Sequence, residues 1–353
     1  MIVVYTPYGR SEATAAAIRL AELAVAAALP ARLVSVGPHE ARVHPFWDRH
    51  VLSGRDGGVQ AGAAGATVCV WFVYGEYARR SAAKAAPKAA HVYVPSWHGQ
   101  PRPGTEGVPP YEQIVCPSRH HHASFVNRVM PAGHENTHVT WARWDAGFPP
   151  VRHEGRAEPN KIRVLANCDV GAIDECPAVT LRIMEGIVER CEQVELTCWS
   201  TKSWARRDRR KLVEMEHTFA GRFRTVRGGD LQGQLTLMHE HDWFLYPAAR
   251  CDFALHPVRA LHCGLPVLGW DVPPLSEQVA TGHNGVLVPC ELSANWCNAP
   301  VAAAQAARFV DAVVPYLADA RQLFAMQGTD WALKARSEAF QQFWLDLFGA
   351  GDR

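Results

Sequence analysis

Several absences narrow the class of this sequence at once. Its ten cysteines form no Cys-x-x-Cys pair and show no zinc-ligand spacing, which removes the usual structural zinc sites and thioredoxin-type redox motifs. No Asp-x-Asp pair occurs in the 353 residues, so the simplest carboxylate clamp for a divalent ion is missing. An excess of one charge is missing too: 36 Lys and Arg stand against 35 Asp and Glu, for a formal net charge of +1. Attraction of the whole molecule to polyanions is thereby excluded, and any such role falls to a local patch. No apolar run is long enough to span a bilayer, and no basic segment precedes the apolar residues at the N-terminus, so neither membrane insertion nor a signal peptide is expected. No internal repeat or low-complexity tract is visible. What remains is a soluble, cytoplasmic chain whose scattered thiols (Cys69, Cys116, Cys168, Cys176, Cys191, Cys198 and onwards) are expected to be reduced and buried.

What is present is a repeated alternation of strand and helix signals. Hydrophobic residues make up 48% of the chain, and they fall in short runs. Ile2 to Thr6 reads as a strand and Ala13 to Leu29 as a helix capped by Ser11. Strands are expected at Arg32 to Val36, Thr67 to Tyr74, His91 to Val94 and Gln113 to Cys116, with a Gly-rich loop at Gly54 to Gly65 and a helix at Ala78 to Ala90. The Pro/Gly-rich stretch Pro101 to Pro110 is too long for a minimal connection and points to function. Phe148 to Pro159 is polar, Pro-rich and without periodicity, which marks a linker. A second series follows: strands at Lys161 to Ala166, Val194 to Trp199, Phe223 to Val226, Trp243 to Tyr246, Pro266 to Gly269 and Val286 to Val288, with helices at Pro177 to Arg190 and Ala205 to Phe219. From Ala299 to Phe348 the pattern is helical, ending in an amphipathic segment that carries Phe340, Phe343, Trp344, Leu347 and Phe348. Such alternation demands parallel sheets with crossover helices. Two domains are expected, 1–150 and 151–330, with 331–353 as a terminal helix.

Ligands of open α/β sheets bind beyond the carboxyl ends of strands, close to helix N-termini. Four strand-to-helix turns therefore carry weight. Pro7-Tyr8-Gly9-Arg10-Ser11 follows the first strand, where Gly9 lets a ligand approach the backbone. Pro95-Ser96-Trp97-His98-Gly99 places His98 at a strand end, suited to a polar contact or to proton handling. Pro117-Ser118-Arg119-His120-His121-His122 is open to metal or phosphate, against the plainer reading that Ser118 caps a helix. The fourth runs from Cys251 to Asp271: a loop, a helix that tolerates Pro257 in its first turn, a stop at Gly264, then a buried strand. The amides from Phe253 through Ala254 and Leu255 to His256 would face an anion over that helix start.

The run Ala260 to Pro289 (ALHCGLPVLGWDVPPLSEQVATGHNGVLVP) resembles the donor-site segment of retaining GT-B glycosyltransferases, the group that holds phosphatidylinositol mannosyltransferases and sucrose synthases. The similar pieces are Cys263-Gly264-Leu265-Pro266-Val267, Asp271 with Glu277, and Gly282-x-x-Gly285-Val286-Leu287-Val288-Pro289. Cys116-Pro117-Ser118, Val139 to Asp145, Pro7-Tyr8-Gly9 and His98-Gly99 are similar to N-domain features of the same group. The resemblance implies two Rossmann-like domains facing across a cleft, a terminal helix crossing back to the N-domain, and a nucleotide-diphosphate sugar, UDP-sugar first, as co-substrate without another cofactor. It implies a hexosyl- or pentosyltransferase that retains anomeric configuration without a metal. The donor phosphate would help to deprotonate the acceptor. His98, Asp252 and Glu277 would be the catalytic or sugar-holding residues. Gly9, Phe253 to His256 and Arg259 would line the donor, and Tyr8, Arg10, Trp97, Arg206 and Arg207 would meet acceptor or phosphate.

Two departures from that group bear on the donor. Its paired glutamates around this loop are replaced by Cys251 and Arg259, and arginine accepts no hydrogen bond. It can instead hold a phosphate or carboxylate in a forked manner. The basic pair beyond the first C-domain strand is replaced by Asn167-Cys168-Asp169. Acceptors that fit are a small molecule, a lipid-linked sugar, a protein, or DNA with hydroxymethylated pyrimidines, as bacteriophage enzymes modify. The DNA reading draws on the basic run Arg206 to Lys211 and on Trp97 and Trp204 as stacking surfaces. A GT-B nucleotide-sugar epimerase and a non-catalytic nucleotide-sugar or nucleic-acid binding module are the other readings. The motif His239-Glu240-His241-Asp242 suggests a metal ligand set, against the simpler reading of a helix end entering a strand.

Overall fold

The computed structural model describes residues 1–8, 12–36, 44, 46–53, 58–72, 76–95, 111–126, 137–148, 150, 161–168, 177–200, 204–229, 231–249, 253–291, 299–319, 326 and 330–349. The chain divides into two compact units, Met1–Gly147 with Ala335–Arg353, and Phe148–Lys334.

The first unit contains β1 (Ile2–Thr6), α1 (Glu12–Ala26), β2 (Ala31–Ser35), α2 (Trp47–His50), β3 (Leu52–Ser53), α3 (Gly58–Ala63), β4 (Val68–Trp71), α4 (Glu76–Ala85), β5 (Ala90–Tyr93), β6 (Gln113–Cys116), α5 (Arg119–Ser124) and β7 (His138–Trp141). The strands form one sheet in the order β3-β2-β1-β4-β5-β6-β7, and every pairing is parallel. All residues of β1 and β4 are buried, as strands covered on both faces must be. Tyr5 lies opposite Trp71 in the register, and their rings stack with centroids 3.8 Å apart.

Two expectations for this unit are corrected. Gly54 to Gly65 is not a plain loop, because α3 occupies Gly58–Ala63. Its glycines serve packing: a Cβ on Gly62 would fall 2.7 Å from Val34 Cγ2, so glycine lets α3 close onto β2. The helix expected to reach Ala90 ends at Ala85. Pro87 forbids its continuation, and Ala90 opens β5 opposite Val68.

The chain leaves β7 through a buried ion pair. Asp145 accepts from Arg19 Nε at 2.8 Å and from Nη2 at 2.7 Å. Burial pulls the Arg19 guanidinium down, and the bonds to Asp145 more than offset it, leaving the group above its ordinary value.

The second unit contains β8 (Ile162–Asn167), α6 (Pro177–Arg190), β9 (Val194–Ser200), α7 (Arg206–Thr218), β10 (Phe223–Arg227), α8 (Leu231–His239), β11 (Trp243–Tyr246), α9 (Leu255–His262), β12 (Val267–Asp271), a 3₁₀ turn (Leu275–Glu277), β13 (Gly285–Pro289) and α10 (Ala299–Leu317). Its sheet runs β10-β9-β8-β11-β12-β13, again parallel throughout. Gly285 is required by close approach, since a Cβ there would lie 2.2 Å from Val267 O across the β12–β13 ladder. The C-terminal region is not helical throughout: α10 ends at Leu317, where Pro315 withdraws an N–H from the last turn, and Asp319 is outside any helix. The last helix, α11 (Asp330–Leu347), belongs to the first unit from Ala335 onwards. Phe340 and Trp344 lie with ring centroids 5.1 and 5.9 Å from Trp144.

Two buried histidines fix the neutral tautomer by their partners. His241 donates Nδ1–H to Leu237 O at 2.5 Å, and its Nε2 takes the Thr197 hydroxyl at 2.8 Å. Arg224 Nε donates to that same oxygen at 3.0 Å, so the hydroxyl hydrogen is directed at the ring. Both ring nitrogens are thus committed, and the His239-to-Asp242 motif is a helix end, not a ligand set. Ser118 caps α5 by accepting from His121 N at 3.1 Å and meets His121 Nδ1 at 2.7 Å. Burial pushes His121 down to about 3; His241 is lowered chiefly by burial.

Because the unfolded chain takes up protons at these histidines from about pH 6.5 and the folded chain does not, their contribution is present above that pH and is lost as pH falls. Each should cost about 1.4 kcal/mol per pH unit between its unfolded and folded values. Denaturant unfolding at pH 7 and pH 5.5 should show lower stability at the acid end, with a shallower slope in His241→Asn. A slope unchanged by that substitution would remove His241 from the account.

Candidate functional site

Where strand order reverses in a doubly wound sheet, successive connections leave to opposite faces and open a crevice beyond the carboxyl ends. The reversal falls between β1 and β4 in the first sheet and between β8 and β11 in the second. The turn Pro7-Tyr8 therefore sits at the first switch point, with Tyr8 buried. The segment that leads into α9 sits at the second.

That second switch point is built from several strand ends. β8 closes on Asn167, which is 5% exposed and whose Nδ2 meets no hydrogen-bond partner among the described residues. At the end of β9, Trp199 Nε1 donates to Gly228 O at 3.0 Å. Gly228 and Gly229 take φ of +83° and +105°, the left-handed region open to glycine. Beyond β11 the chain passes through buried Ala248 and Ala249 and reaches Ala254 at φ +52°. An alanine there is held against its preference, at a cost on the order of 1 kcal/mol. Ala254 is the N-cap of α9, and the first intrahelical bond runs from Val258 N to its carbonyl at 3.0 Å. Pro257, third in the helix, needs no N–H there.

The helix stops as its sequence dictates. Gly264, at φ +78°, follows the C-cap Cys263. Leu265 N bonds Ala260 O and Gly264 N bonds Leu261 O, both at 2.9 Å, the paired bonds of a Schellman stop.

Arg259 is the buried cation of this corner, at 8% exposure. Side chains on a helix lean back towards its N-terminus, the direction in which the first turn of α9 lies from Arg259. Its Nη1 reaches Gln234 Oε1 on α8 at 3.5 Å. His256 packs edge-to-face on Trp199 at 5.2 Å.

The other expected residues are distributed as follows. Phe253, Ala254 and Leu255 are buried and His256 is half-buried at the start of α9. Glu277 closes the 3₁₀ turn after β12 and is half-buried. Arg206 and Arg207 are exposed on the first turn of α7. Gly9, Arg10, Trp97, His98, Cys251 and Asp252 lie outside the described residues. Trp204 is half-buried: it packs against the second-unit core and donates Nε1–H to Cys168 O at 3.3 Å.

No family model matches the sequence, and no curated protein is similar to it by sequence. Solved structures are similar over the whole chain. Sucrose-phosphate synthase of Thermosynechococcus elongatus superposes with a TM-score of 0.67 at 13% identity, covering 99% of both chains. HepE of Anabaena, in complex with UDP and glucose, gives 0.67 at 13% identity over 98% of both chains. A glycosyltransferase of Rickettsia africae gives 0.63 at 10% identity over 98% of both. The chain has the GT-B fold. Within a GT-B chain, the α9 corner lies in the second Rossmann-like unit and the Tyr8 turn in the first.

Sequence reasoning missed three parts of this candidate corner. Asn167 was visible only as a departure from a basic pair. Gln234 carries no motif, and its meeting with Arg259 is set by how α8 and α9 pack. The left-handed Ala254 has no signal in sequence, since alanine is the residue least suggestive of that conformation. Gly228-Gly229 directly after a strand was the one available hint.

Proposed function

We propose that the chain transfers a sugar from a nucleotide-diphosphate sugar to a hydroxyl acceptor, with retention of configuration and without a metal ion. The observation that carries this reading is the second switch point: a strand end, a strained left-handed N-cap and a short helix bearing the buried Arg259. HepE, with the same fold, is a structure in complex with UDP and glucose, and another neighbour, the pneumococcal O-GlcNAc transferase GtfA, is in complex with UDP and GlcNAc.

In this reading the first turn of α9, from Phe253 to His256, faces the diphosphate, and Arg259 holds one of its phosphates. A departing nucleotide diphosphate gains negative charge, and a fixed helix start with a guanidinium stabilises it without proton transfer. Asp252 and Glu277 take sugar hydroxyls. His98 orients sugar or acceptor, Gly9 leaves room for it, and Tyr8, Arg10 and Trp97 belong to the acceptor side. The leaving phosphate takes the acceptor proton.

A second acceptor reading, DNA with hydroxymethylated pyrimidines, is favoured by α7. Arg206, Arg207, Arg209 and Arg210 are exposed there, with no ion pair among the described residues. Cations at a helix N-terminus oppose its dipole, so the cluster is retained against a local cost.

Incubation with UDP- and GDP-sugars, with and without candidate acceptors, tests the reading. Acceptor-dependent release of the nucleoside diphosphate is expected. Isomerised donor without acceptor would indicate an epimerase instead, and binding without turnover would indicate a binding module.

A further inference from the structure

The start of α7 carries a charged surface that the donor corner does not use. Arg206, Arg207, Arg209 and Arg210 are exposed, and no ion pair or side-chain hydrogen bond holds them among the described residues. Charges further along the helix are engaged. Lys211 Nζ meets Glu185 Oε1 at 2.7 Å and Glu214 Oε1 at 3.5 Å, and Glu216 Oε1 accepts from Thr225 N at 2.7 Å. At 3.6 residues per turn the four arginines fan over about 160° of the helix surface, opposite buried Leu212 and Met215. The one acid among them, Asp208, is half-buried on that packed side. The helix leaves the carboxyl end of β9 and runs back to the start of β10, so the fan stands at the carboxyl rim of the second sheet. Exposed Arg227 ends the edge strand β10 at the same rim, opposite Ser200.

This arrangement runs against helix electrostatics. Arg206 and Arg207 sit in the first turn and Glu216 in the last, each at the end where the helix dipole disfavours its charge. Arginines three and four apart, such as Arg206 with Arg209 and Arg210, also repel one another. A polyanion seated on the fan relieves that repulsion and takes up the guanidinium forks. A lipid surface fits less well. The face offers one exposed large apolar side chain, Val213, and so has little to insert among headgroups. A flat bilayer meets only the crest of a fan, whereas a groove flanked by two phosphate rows meets both of its sides. The major groove of B-form DNA, about 12 Å wide, admits a helix about 10–12 Å across. The A-form groove of RNA is too narrow.

We propose that the exposed face of α7, through Arg206, Arg207, Arg209 and Arg210, seats on the phosphate rows of the DNA major groove, whatever the base sequence or modification. That the bound duplex is carried to the donor corner rests on the glycosyl-transfer reading above; the binding itself rests on the arginines.

The test is fluorescence anisotropy of the full chain with an unmodified DNA duplex, with an RNA duplex of the same sequence, and cosedimentation with phosphatidylserine vesicles. UDP-glucose is titrated separately by calorimetry as the donor probe. Four phosphates neutralised give a slope of log affinity against log salt of about −3.6, roughly a hundredfold loss between about 50 and 200 mM salt. Arg209→Ala and Arg210→Ala should each make that slope shallower by about one. The double variant Arg209→Glu with Arg210→Glu should weaken the DNA duplex about fiftyfold or more, with UDP-glucose affinity unchanged. Arg206→Glu should weaken the duplex and yet melt no lower than wild type, because an acid in the first turn follows the dipole; an arginine held for the fold would lower the Tm. No binding of the DNA duplex, a salt slope that the variants leave unchanged, or tighter binding of the RNA duplex or the vesicles at the same salt would each overturn the proposal. If the DNA duplex binds as expected while UDP-glucose does not, the donor reading falls and the α7 surface stands. If UDP-glucose binds and the duplex does not, the reverse holds.

Discussion

Replacing Arg259 by alanine is expected to weaken UDP-sugar binding about a hundredfold while the protein stays folded. Truncating one partner of a buried, hydrogen-bonded charge pair costs about 2–5 kcal/mol, and about 2.7 kcal/mol corresponds to a hundredfold. Arg259 is buried on α9 and held by Gln234 on α8, so its guanidinium has little freedom to lose when a phosphate arrives. Arg259→Lys keeps the charge but not the fork and should recover only part of the loss. Gln234→Ala should have a smaller effect of the same sign, because it loosens the guanidinium without removing it. Donor affinity measured by calorimetry on the three variants separates these outcomes. An unchanged affinity in Arg259→Ala would remove the residue from the donor site.

The second large effect concerns stability. Asp145→Ala should destabilise the first unit by about 3–5 kcal/mol, the cost of leaving one member of a buried pair uncompensated. The Asp145 side chain is 1% exposed and that of Arg19 13%, so water cannot take over. For a unit of this size the loss corresponds to a fall of about 10 °C in the Tm. The double variant Arg19→Met with Asp145→Leu should recover most of it, since apolar replacement of a buried pair is often neutral or better. A single-variant loss below about 1 kcal/mol would show that the pair is more solvated than its exposure indicates. The pair anchors the chain where it leaves β7, close to Trp144 and the α11 stripe, so its loss should also weaken the return of the last helix.

Much of the fold was legible because parallel, doubly covered strands are written as short apolar runs. Ile2 to Thr6, Trp243 to Tyr246 and Pro177 to Arg190 coincide with β1, β11 and α6. Gly264 was legible as a helix stop because few residues other than glycine take that conformation. Errors arose where composition and packing disagree. Gly58 to Ala63 looked like a loop, yet its glycines serve close approach, Gly62 to Val34 of β2 and Gly58 to Ser53 of β3. Ala78 to Ala90 looked like one helix because alanine gives no boundary. The candidate site was legible only in part. Its linear pieces, the α9 segment and the Tyr8 turn, could be placed by their position after strands. Pairings across the fold could not: Arg259 with Gln234, Trp199 with Gly228, and Arg119 on Trp141 bring together residues distant in sequence.

The most direct test of the donor site is amide hydrogen exchange of the whole chain with and without UDP. The account predicts that UDP slows exchange in peptides spanning residues 247–260 and 226–234, with β6 and β7 of the first unit unaffected. Protection confined to the first unit, or none at saturating UDP, would contradict it.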